Sequence, residues 1–253
     1  MERFVEKPNL PENRVTLMVV DGRIDVNMEK LLEEKEIRLI KTLPVKNVMP
    51  EIGWHPDIML HHLGGDSVMV APNIPEKLVY ALEKEKLHIF IGKKELKKDY
   101  PSDIPYNVAR LGNLGICNIR NTDEMLLEIL REKGIRLINV AQGYAKCSVC
   151  IVDSHSIITS DKGIWKKACQ DKVDALLIEP GYVELKGMDY GFIGGASGFL
   201  SLNELAFTGC LEKHPQYSII LNYLKNHAKI PVNLCENRLQ DLGTLVPLKE
   251  YSI

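Results

Sequence analysis

The chain has 253 residues, of which 45% are hydrophobic and 26% are charged, and its formal net charge is −2. This composition excludes a disordered chain, and so small a net charge does not attract a polyanion over a distance, so nucleic acid is not an expected partner. No run approaches the roughly 18 apolar residues that a membrane span requires, and the N-terminus has no apolar signal region. We therefore expect a cytoplasmic protein without a membrane partner, in which the six cysteines are reduced thiols.

One unit recurs five times along the chain: an amphipathic stretch with helical spacing that runs directly into a short apolar strand. The five predicted strands are residues 37–40, 87–90, 135–138, 175–178 and 230–234. Their last residues lie 50, 48, 40 and 56 positions apart. A period in this range is typical of stacked or radially arranged supersecondary units.

Capping signals support the helical part of each unit. In the third unit, Asn121 or Thr122 is the predicted N-cap, Asp123 and Glu124 suit the positive end of the helix, and Gly134 is the predicted stop. The other four helices are predicted at residues 27–36, 76–86, 162–171 and 215–227.

Two short β-rich segments joined by turn residues precede the helix in several units. They are residues 57–60 and 67–70, residues 107–111 and 115–118, and residues 148–152 and 156–159. A strand at residues 15–20 has no strand before it, and a strand at residues 243–248 has no helix after it, so the two ends can complete one unit together. This pattern predicts an α/β fold, a five-bladed ββαβ propeller closed by pairing of the N- and C-terminal strands, in a single domain spanning residues 1–253.

In such a ring the start of the first strand of each blade points to the central pore, so distant polar residues can converge there. The five predicted starts are residues 55–57, 106–107, 146–148, 194–197 and 241–244. Polar residues also precede apolar strands in many proteins for structural reasons, so both interpretations stay open.

Three segments, residues 53–57, 143–148 and 190–198, resemble a known superfamily in combination with this architecture. It is the pentein or guanidino-modifying-enzyme superfamily, which includes arginine deiminases, dimethylargininases and amidinotransferases. The sequence is most similar to an uncharacterised bacterial family assigned to that fold.

The resemblance implies a set of site residues. Its His-x-Asp motif matches His55 and Asp57, and its nucleophilic cysteine matches Cys147. His55 is then the acid and base, Asp57 holds a cation or orients His55, and Lys146 together with a protonated His55 is expected to lower the pKa of the thiol. The further residues expected to contact a substrate in the pore are Asn107, Lys146, Ser197 and Asp241.

The superfamily usually has an acidic residue in each of the two blades that precede the histidine blade. Asp241 can be one of them, but Ala196 and Ser197 offer no second carboxylate. The sequence thus leaves the recognition of a guanidinium group incomplete.

A metal or redox interpretation competes for the same cysteine, because Cys147 and Cys150 form a Cys-x-x-Cys motif followed by His155. In a strand these two cysteines face opposite ways, which argues against a shared ion. His61 and His62 are expected to be exposed near a turn. No phosphate-binding loop occurs, so neither a metal nor another cofactor is expected.

Two classes of function stay open at this point. The first is a cysteine-dependent hydrolase or transferase that acts on a small guanidino or amidino compound in the central pore. The second is a non-catalytic ring that binds a metabolite or a macromolecule, as a ribosome-associated translation initiation factor of the same superfamily does.

Overall fold

The computed structural model describes residues 1–252. None of the helices in this range is long and apolar enough to cross a membrane. The helices are α1 (Val26–Glu34), α2 (Pro56–Met59), α3 (Glu76–Lys84), α4 (Glu124–Glu132), α5 (Ala145–Ser148), α6 (Lys162–Gln170) and α7 (Tyr217–Asn226). Of these, α2 and α5 are single turns of four residues.

The strands are short and form five small sheets. They are β1 (Glu2–Phe4), β2 (Val15–Val20), β3 (Arg38–Lys41), β4 (Leu60–Gly64), β5 (Ser67–Val70), β6 (His88–Ile91), β7 (Ala109–Leu111), β8 (Leu114–Cys117), β9 (Arg136–Asn139), β10 (Val149–Ile151), β11 (Ser156–Thr159), β12 (Asp174–Leu177), β13 (Ser197–Phe199), β14 (Glu204–Phe207), β15 (Ile230–Asn233) and β16 (Val246–Tyr251).

Four of the sheets follow one plan. Two antiparallel strands form a hairpin, a helix follows, and a third strand then pairs parallel to the second. The sheets are β4-β5-β6, β7-β8-β9, β10-β11-β12 and β13-β14-β15. The recurring unit predicted from the sequence, strand, strand, helix and strand, is therefore present.

The fifth sheet joins the two ends of the chain. Strand β16 pairs antiparallel with β2, which pairs parallel with β3 after α1, so the predicted pairing of the terminal strands is present. The pattern did not predict β1, which pairs with the other edge of β16. With only three residues, β1 is too short to show a period. The C-terminal strand also begins three residues later than predicted, at Val246.

The strands of each sheet differ in burial. In the sheet that joins the two ends, β16 corresponds to the first strand of the recurring unit, β2 to the second and β3 to the third. The second strands, such as β2, β8 and β11, are almost fully buried, whereas the third strands, such as β3, β9 and β12, are partly exposed. The first strands β7, β10, β13 and β16 contact one another in series. The starts of these first strands therefore face the interior between the sheets.

Aspartates cap three of the long helices. Asp25 accepts from the Asn27 backbone N–H, and Asp161 accepts from that of Ile164. In α4 the cap is Asp123, so the expectation that Asn121 or Thr122 caps this helix is wrong. Asp123 Oδ1 accepts from the backbone N–H groups of Met125 and Leu126, and its other oxygen, Oδ2, accepts from those of Lys93 and Lys94. The second set of bonds fixes the side chain of Asp123 in the capping position.

Two segments predicted to be the starts of strands are helical turns instead. Residues 57–59 belong to α2, and Ser148 belongs to α5. Pro56 occupies the first position of α2, where its fixed φ favours a helical turn and its missing N–H leaves no bond unmade. Each turn ends where a first strand begins, and this arrangement displays the side chains of the turn at the interior end of the sheet.

Candidate functional site

Three side chains from different parts of the chain meet at the interior ends of the sheets. His55 precedes α2, Asp57 lies in α2 and Cys147 lies in α5. One ligand atom of each lies within 4.8 Å of the others, and all three residues are buried. The loop before β16 packs against them, because the Asp57 backbone N–H donates to Gly243 O at 3.1 Å.

Asn107 holds the turn that carries the cysteine. Its side-chain oxygen accepts from the Lys146 backbone N–H at 2.7 Å, and its amide nitrogen donates to Cys147 Sγ at 3.2 Å and to Asp57 O at 3.1 Å. One buried amide thus connects α2 with α5. Asn107 can position the thiol, although its role in binding a substrate stays a prediction.

The thiol of Cys147 is protonated in this environment. It donates to Asp57 Oδ2 at 3.1 Å. Burial, followed by the charges of Asp57 and Asp241, raises the pKa of Cys147 well above its ordinary value. The expectation that Lys146 and His55 lower this pKa is wrong, because desolvation and two nearby carboxylates outweigh one ammonium group.

Lys146 reaches the same centre through a threonine. Its Nζ donates to Thr244 Oγ1 at 2.9 Å, and the Thr244 hydroxyl lies 2.9 Å from Asp57 Oδ2. Burial lowers the pKa of Lys146, while the charge of Asp57 opposes that shift. Burial also raises the pKa of Asp57, whose Oδ1 has no hydrogen-bond partner.

His55 is fully buried and is held as a neutral imidazole. Burial, with a smaller contribution from Arg23, lowers the pKa of His55 to about 3. Neither ring nitrogen has a hydrogen-bond partner. Nδ1 lies 3.8 Å from Asp241 Oδ1, and Nε2 lies 3.9 Å from Asp21 Oδ2. An imidazolium formed during a reaction would therefore have a carboxylate near each nitrogen.

Asp241 is oriented by the backbone. Its oxygens accept from the Gly243 N–H at 3.0 Å and from the Phe192 N–H at 2.9 Å. Burial and the charge of Asp57 raise the pKa of Asp241 to about 7. A Cβ at Gly195 would lie 1.8 Å from Asp241 Oδ1, so only glycine leaves room for this carboxyl group.

Asp21 is the residue that the sequence pattern missed. It follows the fully buried strand β2, and its side chain is buried beside His55. Arg23 holds it, with Nη2 at 2.7 Å from Oδ2 and Nε at 3.0 Å from Oδ1. The available signal was an aspartate that directly follows an apolar strand. The pattern placed the site at the starts of the first strands, whereas Asp21 directly follows the end of β2.

Ser197, another predicted site residue, shares one acceptor with Thr244, because the Thr244 hydroxyl also donates to Gly194 O, at 3.1 Å. The Ser197 hydroxyl donates to Gly194 O at 3.2 Å and lies beside the thiol of Cys150. It has no hydrogen bond to His55, Asp57 or Cys147 in the part of the chain that the structure describes.

A cavity of about 230 Å³ reaches the cluster from outside. His55, Cys147 and Asp241 line it, and its other walls are mainly apolar. Asp57 and Lys146 line a second cavity, of about 20 Å³, which also contains Asn9. The cluster therefore lies between a larger cavity and a much smaller one.

His55, Asp57 and Cys147 could also hold a metal ion, since an imidazole, a carboxylate and a thiolate are ligands that zinc accepts. The Cys-x-x-Cys alternative does not fit, because Cys150 lies in β10 and His155 is exposed beside Ser154. His61 and His62 are buried, so the expectation that they are exposed is wrong. They pack between the sheets at the small cavity.

Solved structures with the same fold include several enzymes that modify guanidino groups. The inosamine-phosphate amidinotransferase StrB1 of Streptomyces griseus is 8% identical, with a TM-score of 0.61 and coverage of 99% of this chain and 98% of that chain. The C. jejuni agmatine deiminase is 9% identical, with a TM-score of 0.55 and coverage of 93% and 91%. SxtG, an amidinotransferase of saxitoxin biosynthesis from Microseira wollei, is 12% identical, with a TM-score of 0.52 and coverage of 91% and 90%.

These amidinotransferases and deiminases are members of the pentein superfamily, and at such low identity the likeness establishes the fold alone. No curated protein matches the sequence. A family model matches residues 19–246, which is most of the chain. The chain therefore has the pentein fold and belongs to the family of unknown function DUF6873.

Proposed function

We propose that this protein is a cysteine-dependent hydrolase or transferase that acts on a small guanidino or amidino compound through a thiol-bound intermediate. One observation carries the proposal: a thiol, an imidazole and a carboxyl group, those of Cys147, His55 and Asp241, line the same cavity, and Asp57 lies directly behind the thiol. Carboxylates are natural partners of a planar guanidinium cation, whose central carbon can be attacked by a thiolate.

We also infer that the five sheets form a closed ring with the cavity at its axis. The series of contacts between first strands, from β7 to β16, supports this arrangement. The remaining gap is bridged by two bonds at the centre, from Asn107 Nδ2 to Asp57 O and from Asp57 N to Gly243 O. In a closed ring, residues about 50 positions apart can act on one small molecule.

Binding of a cationic substrate would activate the thiol. The charges of Asp57 and Asp241 raise the pKa of Cys147. A guanidinium placed against these carboxylates compensates their charge and thereby favours the thiolate. The nucleophile then forms mainly when its substrate is present, and the unliganded thiol is protected from other electrophiles.

The bond changes follow from this arrangement. The proton of Cys147 passes to the neutral imidazole of His55, and the thiolate attacks the central carbon to form a C–S bond. His55 then gives the proton to the leaving nitrogen, and that C–N bond breaks. In the second half, water or an acceptor amine loses a proton to His55 and attacks the same carbon. The C–S bond then breaks, and the imidazolium of His55 returns the proton to the departing thiolate. Asp21 and Asp241 stabilise the imidazolium in both halves.

The proposal can be tested by trapping the covalent intermediate. The protein is incubated with a panel of guanidines and amidines in the presence of a chelator and quenched in acid, and the peptide containing residue 147 is analysed by mass spectrometry. We expect an adduct on Cys147 that is absent in Cys147→Ala and retained in the matched control Cys150→Ala. Because general acid–base catalysis contributes about 10²–10⁴-fold, His55→Gln should slow adduct formation by at least about 10².

The opposite result would favour the non-catalytic ring. If no compound forms an adduct or releases ammonia, and if Cys147 reacts with an alkylating reagent only after unfolding, Cys147 is a structural thiol. The same variants would then be compared with the native protein for binding of metabolites or macromolecules.

A further inference from the structure

We propose that the substrate is a monocationic guanidine or amidine whose other substituent is apolar and bears neither a carboxylate nor a phosphate. The inference rests on the proposed function and concerns the part of the substrate that does not react. The observation behind it is the contrast within the cavity above Cys147. The base of this cavity is polar, and its walls are mainly apolar.

The walls offer apolar contact on every side. Met49 and Ile52 come from the loop before α2, and Leu185, Met188 and Phe192 come from the long segment between β12 and β13. Ligand sites of this kind gain affinity mainly from apolar burial, with a few polar groups to fix orientation. An aliphatic or aromatic substituent therefore matches these walls, and a heavily hydroxylated one does not.

The charges that line the cavity are of one sign. Asp241 lies at its base and Asp189 at its mouth, and among residues 1–252 neither a lysine nor an arginine lines it. The nearest buried cation, Lys146, is turned toward Thr244 and the small cavity. An anionic group on the substrate would lose its water here without gaining a cation, and that desolvation is costly.

Arg23, the second cation near the cavity, is also bound by groups of the protein. The Arg23 guanidinium binds both oxygens of Asp21 and donates to Pro50 O at 3.1 Å and Glu51 O at 3.0 Å. All three of its nitrogens are therefore occupied by the protein. In the part of the chain that the structure describes, no lysine or arginine side chain is therefore left at the cavity to bind the carboxylate of an amino acid.

Aromatic rings complete the site. The ring centroids of Tyr144 and Phe192 are 6.3 Å apart, and those of Phe192 and Tyr190 are 6.1 Å apart. The Tyr144 hydroxyl is bound by Asp103, so the ring is the part of Tyr144 that remains for a ligand. Aromatic faces attract cations and pack against apolar groups, which suits a guanidinium with a hydrocarbon substituent.

Size limits the substituent. A cavity of about 230 Å³ lies below the roughly 300–1,000 Å³ of sites for drug-sized ligands. Met188 and Tyr190 are 48% and 42% exposed at its mouth, and a short apolar chain would cover part of both. We therefore expect a substituent of a few carbon atoms.

Matched ligands test the inference. Butylguanidine ends in a methyl group, and 4-guanidinobutyrate has a carboxylate at the same position. Calorimetry on the Cys147→Ala protein, which cannot form the thiol adduct, compares the Kd values of the two ligands. We expect butylguanidine to bind at least tenfold more tightly. The double variant Met188→Ala, Tyr190→Ala should reduce that preference to less than threefold, while both proteins keep the native circular dichroism spectrum.

The outcomes separate the two proposals. If 4-guanidinobutyrate binds as tightly as butylguanidine or more tightly, the inference about the substituent is overturned and the proposed function stands. If neither binds to a folded protein, both are overturned. Asp189→Asn removes the negative charge at the mouth, and it should tighten binding of 4-guanidinobutyrate relative to that of butylguanidine, so that the preference becomes smaller.

Discussion

At the scale of single residues, the central feature is a thiol hydrogen-bonded to a buried carboxyl group. The Cys147 thiol donates to Asp57 Oδ2, which also lies 2.9 Å from the Thr244 hydroxyl. The motif of the sequence placed His55, Asp57 and Cys147 together, but burial decided their protonation. Burial raises the pKa of Cys147 and lowers that of His55, so both side chains favour their neutral forms and the cysteine is not permanently activated.

Replacing Asp57 by asparagine should lower the pKa of the Cys147 thiol. The substitution removes the charge that, after burial, contributes most to raising this pKa, and it keeps the size of the side chain. We expect the midpoint of the pH–alkylation curve of Cys147 to fall by about one unit or more. The curve is measured by peptide mass spectrometry, with the exposed Cys169 as internal reference.

Two results would contradict this expectation. In the native protein, rapid alkylation of Cys147 below neutral pH would mean that its pKa is not raised. An unchanged midpoint in Asp57→Asn would mean that burial alone sets the reactivity of the thiol.

Buried histidines should make the protein less stable in mild acid. Burial lowers the pKa of His62 to about 4, from an ordinary value of 6.5. Between these values the unfolded chain binds the proton and the folded chain does not, so the contribution of His62 to stability is complete above pH 6.5 and is lost as the pH falls toward 4. From pH 7.5 to pH 5 the loss is about 2 kcal/mol for this residue.

Denaturation at both pH values checks this contribution. His62→Gln keeps a donor for Gly65 O, which the His62 ring nitrogen binds at 2.9 Å, and it should reduce the drop in unfolding free energy between pH 7.5 and pH 5. The exposed His88→Gln is the matched control. Equal pH dependence in His62→Gln and native protein would show that His62 is not held neutral.

At the scale of secondary structure elements, the five long helices end in the same way. Two residues beyond each helix the backbone has a positive φ, at Glu36, Lys86, Gly134, Lys172 and Ala228. In each case that residue and the next donate to carbonyls of the last turn, as in Lys172 N to Cys169 O and Val173 N to Ala168 O. This is the Schellman motif. It turns the chain directly into the following parallel strand.

Glycine at these positions should stabilise the protein. Lys172 has a φ of 63°, which costs a residue with a side chain about 1 kcal/mol. We expect Lys172→Gly to raise the unfolding free energy by about 0.5–1 kcal/mol, and Gly134→Ala to lower it by a similar amount. A Cβ at Gly134 meets no atom within 4 Å, so that loss would be conformational.

A second lysine of the same region provides the control. Lys167 lies inside α6, where glycine disfavours the helix, so Lys167→Gly should lose about 1 kcal/mol. Loss of stability in both lysine variants, measured by urea denaturation, would contradict the role of the positive φ.

At the scale of the whole molecule, β16 connects the two ends of the chain. It pairs with β2 on one side and with β1 on the other, and it contacts β13 of the preceding sheet. The loop before it supplies Asp241 and Thr244 to the site. The same segment therefore completes a sheet and the cluster around Cys147.

Deleting residues 242–253 should destabilise the entire chain. The deletion removes the antiparallel partner of β2 and exposes a buried strand edge. We expect Tm to fall by roughly 10 °C or more, with loss of a single cooperative transition. Thermal unfolding by circular dichroism measures this, with deletion of residues 252–253 as the control. An unchanged, cooperative transition would mean that the terminal pairing does not hold the sheets together.

The sequence predicts the repeating unit, the five long helices and the pairing of the two ends. The helices and strands follow from the spacing of apolar residues and from capping residues, which are close together in the chain. The pairing of the ends follows because each end contains only part of the recurring unit. The sequence also indicated His55, Asp57 and Cys147, because a short motif and its resemblance name residue types at known separations.

Only the tertiary structure decided the rest. The approach of Asp21 to His55 and the link from Lys146 through Thr244 to Asp57 depend on contacts between segments far apart in the chain. The raised pKa of Cys147 and the lowered pKa of His55 depend on how much water the sheets exclude. Burial and long-range proximity are properties of the packed molecule, and no local pattern of residues contains them.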